Sequence, residues 1–283
     1  MSEILRSAKS QLEAAFSGNG LIQTPIKWLS VYKFDADTAF SGVYEPSLCV
    51  ILSGSKSVQM GASQAVSYAC GDVLFVATHL PSLVRINAPY LALKITPSPQ
   101  AIASVLTRVK LDLPASQSQN AVVKTELTDE LISAVSRLVG SLKKDAAARD
   151  FLAQLVLDEI IFILLNSQAS SLLKSVFAMG GVEAKIARAS KIISSEYANK
   201  IDLARLSREL DMSQSSFNSH FKRITTLTPA EFLKRTRLLN AKELLKSQRL
   251  RASDVAFMVG YNSPSHFSRE YAKMFGATPM GDA

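Results

Sequence analysis

The spacing of apolar positions divides the chain into stretches of different texture. Residues 1–20 place Ile4, Leu5, Ala8, Leu12 and Phe16 at helical spacing, and Gly18-Asn-Gly20 ends that run. From about Ile26 to Thr96 the pattern changes to short β-type runs: Lys27 to Phe34, Ser47 to Ser53, Ser55 to Gly61, Ala65 to Cys70, Asp72 to Ala77, Leu83 to Asn87 and Tyr90 to Thr96. Gly54, Gly61, Gly71 and Pro89 punctuate them. Many short strands at close spacing predict a small antiparallel sandwich or barrel. After Pro97 the helical period returns, over Pro99 to Lys110, Glu126 to Leu142 and Arg149 to Asn166. The last of these carries Phe151, Leu152, Leu155, Val156, Ile160, Ile161, Ile163 and Leu164, too apolar a set to leave facing water. It must pack on the barrel, on a neighbouring helix or on its twin in a dimer.

Past a Ser-, Gln- and Gly-containing connection from Asn166 to Gly181, and a helix predicted over Val182 to Tyr197, one unit occurs twice. Ser213, Phe217, Phe221, Thr228 and Pro229 recur fifty residues on as Ser263, Phe267, Tyr271, Thr278 and Pro279. In the first copy Leu203, Leu206, Ser207 and Leu210 share one face of a short helix, and Asp211-Met212 breaks it. Ser213 then caps a second helix, Gln214 to Ile224, whose inner stripe is Phe217, Phe221 and Ile224. Two short helices joined by a tight turn are the plan of a helix-turn-helix. The second copy repeats the plan: a support helix from Ser253 to Val259, a turn at Gly260, and a capped helix from Pro264 to Phe275 with its proline in the first turn. The stretch between the copies, Ala230 to Ser247, contains no helix breaker. Its eighteen residues predict a rod of about 27 Å. Major-groove faces on one side of B-DNA recur about every 34 Å. The rod plus the widths of the two units is therefore of the right order to set both second helices into adjacent grooves.

Composition sharpens this division. Of 283 residues 47% are hydrophobic and 20% charged, which excludes extensive disorder and leaves room for two domains. Residues 181–283 hold 17 Lys and Arg against 10 Asp and Glu, a net of +7, whereas residues 1–180 hold 15 against 14. The charge sits on the segment with the paired motif, and it predicts a polyanionic partner bound less tightly as salt rises. Two cysteines, Cys49 and Cys70, imply no disulfide framework and fit a reducing cytoplasm. The start lacks the apolar core of a signal peptide, and the most apolar run, Ile160 to Leu165, is too short to span a bilayer.

The run Leu233-Lys-Arg-Thr-Arg-Leu-Leu-Asn-Ala-Lys-Glu-Leu-Leu245 and the stretch Asp254 to Arg269 closing in Phe275-Gly-Ala-Thr-Pro279 resemble the AraC/XylS family of bacterial transcription regulators. The resemblance covers roughly the last hundred residues. Three departures stand out: Asp211 and Thr226 occupy positions where the family favours glycine, and Met280-Gly-Asp-Ala283 replaces an aromatic and arginine tail. Pro46 to Lys56, with Gly71 to Val76 and His79-Leu-Pro81, is similar to the cupin-like effector domain of the same family. The resemblance implies an α+β protein of two domains: a cupin-like β-barrel with flanking helices over 1–168, a linker over 169–181, and an all-α double helix-turn-helix domain over 182–283. It implies a jelly-roll cavity that either binds a small inducer or stays filled.

By position on the second helices, Ser215, Asn218 and Ser219, with Gln214 beside them, and Ser265, His266 and Arg269 are the expected base readers. Lys222, Arg223 and Lys273, with the helix starts at Ser213 and Ser263, are the expected phosphate clamps. Trp28, Tyr44, Tyr68, His79, Arg85 and Lys94 are candidates to line an effector cavity, with a surface or core role the simpler reading of each. The expected partners are double-stranded promoter DNA, RNA polymerase, a small-molecule effector and a second copy of the chain, with no membrane and no cofactor. A cupin-type metal enzyme with a DNA-binding appendage is the alternative. Against it stand a lone histidine, His79, in the barrel segment and the lack of any nucleophile elbow, phosphate loop or zinc-spaced cysteine pair. A non-specific architectural protein is a third reading, separated by whether one promoter outcompetes bulk DNA.

Overall fold

The computed structural model describes residues 3–109, 121–177, 181–248 and 250–281. A first helix, α1 (Glu3–Ala15), precedes β1 (Gly20–Gln23), β2 (Leu29–Phe34), β3 (Thr38–Tyr44), β4 (Ser47–Met60), β5 (Val66–Ala69), β6 (Asp72–Val76) and β7 (Leu80–Ile95). Then come α2 (Pro99–Val109), β8 (Val122–Glu126), α3 (Asp129–Ser141), α4 (Ala146–Leu165) and α5 (Ser170–Phe177). All strands pair antiparallel in one sheet of order β1-β2-β7-β4-β6-β8, with β3 added on β7 and β5 on β4. The path runs from β1 to β8 without closing, so the barrel is an open, curled sheet.

Four of the expected strands are halves of two long ones. β4 and β7 run unbroken through Gly54 and Pro89, where the hydrophobic pattern predicted strand ends. The two interruptions face each other: a Cβ on Gly54, at φ +73°, would sit 2.4 Å from the Pro89 carbonyl oxygen. The register slips on either side of Ser53. The glycine and the proline thus mark one shared bulge that bends both strands and curls the sheet. β1 and β8 escaped the sequence reading because they are short, and β3 because Ser41 and Gly42 interrupt its apolar residues. Glu126 ends β8 rather than opening a helix; α3 begins three residues later, where Thr128 caps it by accepting from the Leu131 amide at 3.3 Å. The connection after Asn166 is itself partly helical, and α5 sends Leu172 and Leu173 into the core.

Side chains alternate across the sheet, so each face has its own core. Leu48, Val50, Leu52, Val73, Phe75, Leu91 and Leu93 pack on one side with α1 to α5. On the other, Cys49, Ile51, Val58, Met60, Leu74, Val76, Tyr90 and Ala92 continue without a break into the carboxy-terminal half, meeting Ile186, Ala189, Phe217 and Phe221.

That half consists of α6 (Val182–Ser195), α7 (Leu203–Glu209), α8 (Gln214–Thr225), α9 (Pro229–Gln248), α10 (Ala252–Met258) and α11 (Pro264–Phe275). The α9 rod, 20 residues and so about 30 Å long, serves two cores. Phe232 joins the first unit, and Leu238, Ala241 and Leu245 join the second with Val255, Phe267 and Tyr271. Arg237 fastens the rod by donating from Nε to the Tyr197 carbonyl at 2.7 Å and from Nη2 to that of Asn199 at 2.9 Å. Toward the sheet, Glu243 accepts from the Ser41 amide and hydroxyl at 2.7 and 2.8 Å. Among the described residues no helix is long and apolar enough to cross a membrane.

Candidate nucleic-acid interface

The two helix-turn-helix units are built alike down to single hydrogen bonds. In the turns, the Met212 amide bonds the Ser207 carbonyl at 3.0 Å and the Tyr261 amide bonds that of Ala256 at 2.9 Å. The residue before each amide carries the left-handed backbone, Asp211 at φ 51° and Gly260 at φ 90°. At Gly260 no larger residue fits, since a Cβ would lie 2.6 Å from the Ala198 carbonyl oxygen. Ser213 and Ser263 cap α8 and α11 through their hydroxyls, accepting from the Ser216 amide at 3.2 Å and the His266 amide at 3.3 Å. The helices end at Thr226, φ 67°, and Gly276, φ 73°, both left-handed. Asp211 and Thr226 therefore adopt the backbone that glycine would supply at those places.

Each reading helix is fixed from behind by aromatic rings. Phe217, Phe221 and Phe232 meet edge-on with centroids 5.5 and 5.2 Å apart. Tyr261, Phe267, Tyr271 and Phe275 form the matching row. With the aromatic stripe buried, the rest of each helix faces water: Ser213, Gln214, Ser215, Asn218, Ser219 and Lys222 on α8, and Ser263, Ser265, His266, Arg269 and Lys273 on α11, all lie outside the core. Arg223 is placed differently, its Nη2 donating to Glu183 of α6 at 2.8 Å between two largely buried side chains. Glu270, beside Arg269, is held by Lys234 at 2.8 Å, and that bond keeps its carboxyl below the usual carboxylate range.

The proposed effector residues scatter. Tyr44 and Tyr68 lie on the inward face of the sheet, and Tyr68 borders a cleft of about 280 Å³ between Met60, Leu80, Val122 and Ile224. Lys94 pairs with Glu45 at 2.7 Å; His79 lies half-buried near both, and burial pushes its pKa down. Trp28 packs on the opposite face, and Arg85 is exposed. One inward residue escaped the sequence reading. Lys56 is 3% exposed, and its parity with Val58 and Met60 on one strand was the signal that pointed it inward. Among the described residues no three His, Cys, Asp or Glu side chains gather as a metal site.

Comparison with known proteins agrees with this layout. The pattern of the AraC-type transcriptional regulator N-terminus matches residues 25–172, and that of a helix-turn-helix domain matches 206–281. The virulence regulon transcriptional activator VirF of Yersinia enterocolitica is 25% identical over 259 residues, 89% of this chain and 94% of VirF. Histidine kinase P4 of Formosa agariphila is 34% identical over 98 residues, 34% of this chain; the chain spans 7% of that protein. An apo point variant of ToxT from Vibrio cholerae superposes with a TM-score of 0.58 over 92% of this chain and 97% of its own, at 12% identity, a likeness of fold. Since the first of these patterns covers more than half of the sequence and the second falls on the paired units, the chain belongs to the AraC-type transcriptional regulators.

Proposed function

We propose that this regulator reads a bipartite promoter site by laying α8 and α11 of one chain into successive major grooves, and that it activates transcription there. The outward face of each reading helix carries this proposal: Asn218 and Arg269 stand clear of any core, on helices held rigid by buried rings. Arg269 pairs with guanine and Asn218 with adenine, while Lys222, Lys273 and the amides at the two capped helix starts hold phosphates. Arg223 supports α8 against α6 through Glu183. Activation, with the contact to RNA polymerase that it entails, is supported by the likeness to VirF, a transcriptional activator. No residue of the proposal performs chemistry on the DNA.

The amino-terminal domain modulates this binding, by a small effector or through a second copy. ToxT has been solved bound to an unsaturated fatty acid, in a fold that matches 89% of this chain at TM-score 0.54, and that supports an effector role for the same domain here. A second copy is supported by α4, which exposes Phe151, Leu155 and Phe162, 67%, 52% and 46% accessible, along one side. Selection of bound sequences from a random DNA pool tests the central reading. Enrichment of two short elements at fixed spacing is expected; recovery of unenriched DNA would contradict it.

A further inference from the structure

The inward face of the sheet holds a pair of side chains that DNA recognition leaves unused. Lys56 Nζ donates to Cys49 Sγ at 3.1 Å and to the Tyr44 hydroxyl at 2.9 Å, and lies 5.2 Å from the centre of the Tyr44 ring. Cys49 is fully buried and Lys56 nearly so. Among the described residues the amine contacts no carboxylate. An ammonium taken out of water costs several kcal/mol unless its partners repay it, and a hydroxyl, a ring face and a thiol are modest repayment.

The contact is also a product of the fold. Seven residues of flat strand would separate the two Cα atoms by about 23 Å and leave the side chains on opposite faces. β4 brings them together through its bulge: partner residues advance by one, from Ala92 to Leu91, while β4 advances by two, from Ile51 to Ser53. The extra residue switches parity, and the curl closes the distance. Tyr32, Phe34, Phe40 and Tyr90 fill the surrounding space, with Tyr32–Phe34 and Phe34–Phe40 centroids 6.4 and 6.3 Å apart.

We propose that Cys49 and Lys56 form an oxidation-sensitive pair, which hydrogen peroxide joins by a sulfur–nitrogen bond. Sγ attacks one peroxide oxygen, so an S–O bond forms as the O–O bond breaks, and the departing hydroxide takes a proton from the Lys56 ammonium. The hydroxide thereby leaves as water and the thiol proton passes to solvent, so the products are a sulfenic acid, a neutral amine, one water and one free proton. The amine then attacks sulfur, forming S–N as S–O breaks, and the second hydroxide leaves as water with the amine's proton. Sulfur gives up two electrons, one peroxide is reduced to two waters, and the side chains together lose two hydrogens beyond the ammonium proton, which is released to solvent. Backbone nitrogen captures sulfenic acids in this way, and Lys56 Nζ, 3.1 Å from Sγ, offers a side-chain nucleophile. The bond staples the bulge of β4, on the face that packs against α6 and α8. Oxidation of the amino-terminal domain thereby reaches the sheet surface on which the first DNA-reading unit rests.

The test is peptide mapping of the full chain after peroxide treatment. Cys70, which is exposed and would react independently, is replaced by Cys70→Ser, and Met280, 76% exposed, reports the dose. After quenching, alkylation under denaturing conditions and trypsin digestion, the expected product is an uncleaved peptide spanning 34–85. It should be about 2 Da lighter than the reduced form and unalkylated, and restored by dithiothreitol to alkylatable Cys49 and cleavable Lys56. Lys56→Met should abolish the loss of mass and leave Cys49 without its amine partner, and Cys49→Ser should abolish it too should the methionine variant fail to fold. Cys49 fully alkylated at a dose that oxidises Met280, or carried to sulfinic acid with Lys56 still cleaved, would overturn the proposal.

Discussion

At the scale of single residues, the proposed interface assigns reading to some side chains and holding to others. Arg269 is exposed on α11 and its acidic neighbour Glu270 is occupied by Lys234, as the proposed contact of its guanidinium with a base requires. Arg269→Ala should relax preference at one base pair, losing about 1–3 kcal/mol on the cognate site and little on random DNA. Lys222→Ala should weaken all sequences alike and lower the salt slope by about one. Salt-dependent titrations on both DNAs distinguish the two patterns, and equal losses from Arg269→Ala would remove it from the readers. Asp211 makes a second residue-scale case. Its left-handed φ of 51° is tolerable for aspartate and costly for a β-branched residue. Asp211→Val should cost about 1–2 kcal/mol in a denaturant melt while Asp211→Gly costs nothing, the opposite of what a side-chain role for Asp211 would give. The sequence carried the outward positions of α8 and α11 because the aromatic stripe fixes the helix phase. It did not carry the fate of Arg223, because Glu183 lies 40 residues away and its approach depends on how α6 packs.

At the scale of elements, legibility followed period length. Helices α8, α9, α10 and α11 were bounded to within a residue or so because caps, proline and glycine mark their ends. β4 and β7 were each cut in two, since a glycine or a proline inside a strand reads as an end until its partner strand shows the matching bulge. The sequence marks α4 as too apolar to face water, yet part of it does: Phe151 and Leu155 are exposed in one chain. Leu155→Glu should therefore shift the chain toward monomer in sedimentation equilibrium without lowering its melting temperature. An unchanged association state would assign α4 another role. The α9 rod is tied to the sheet by Glu243 and Ser41. Glu243→Ala should speed hydrogen exchange in β3 and α9 together, whereas exchange confined to α9 would show that the tie does not couple the domains.

At the scale of the whole molecule, charge and architecture point the same way. The +7 of residues 181–283 lies on the half that carries the paired units, while the sheet half is nearly neutral. The inward core of the sheet runs unbroken into the first unit, so the relation between the domains is set by packed side chains rather than by the connecting segment alone. Any signal received by the sheet has a physical route to α8 through that shared core, provided that it favours one arrangement of the halves over another. The pairing of α8 and α11 on one rigid rod is the claim on which promoter recognition rests, and a hydroxyl-radical footprint on selected DNA, with the number of chains bound counted, measures it directly. Two protected tracts per chain on one face of the duplex, about 10 base pairs apart, are predicted; a single tract per chain would contradict it.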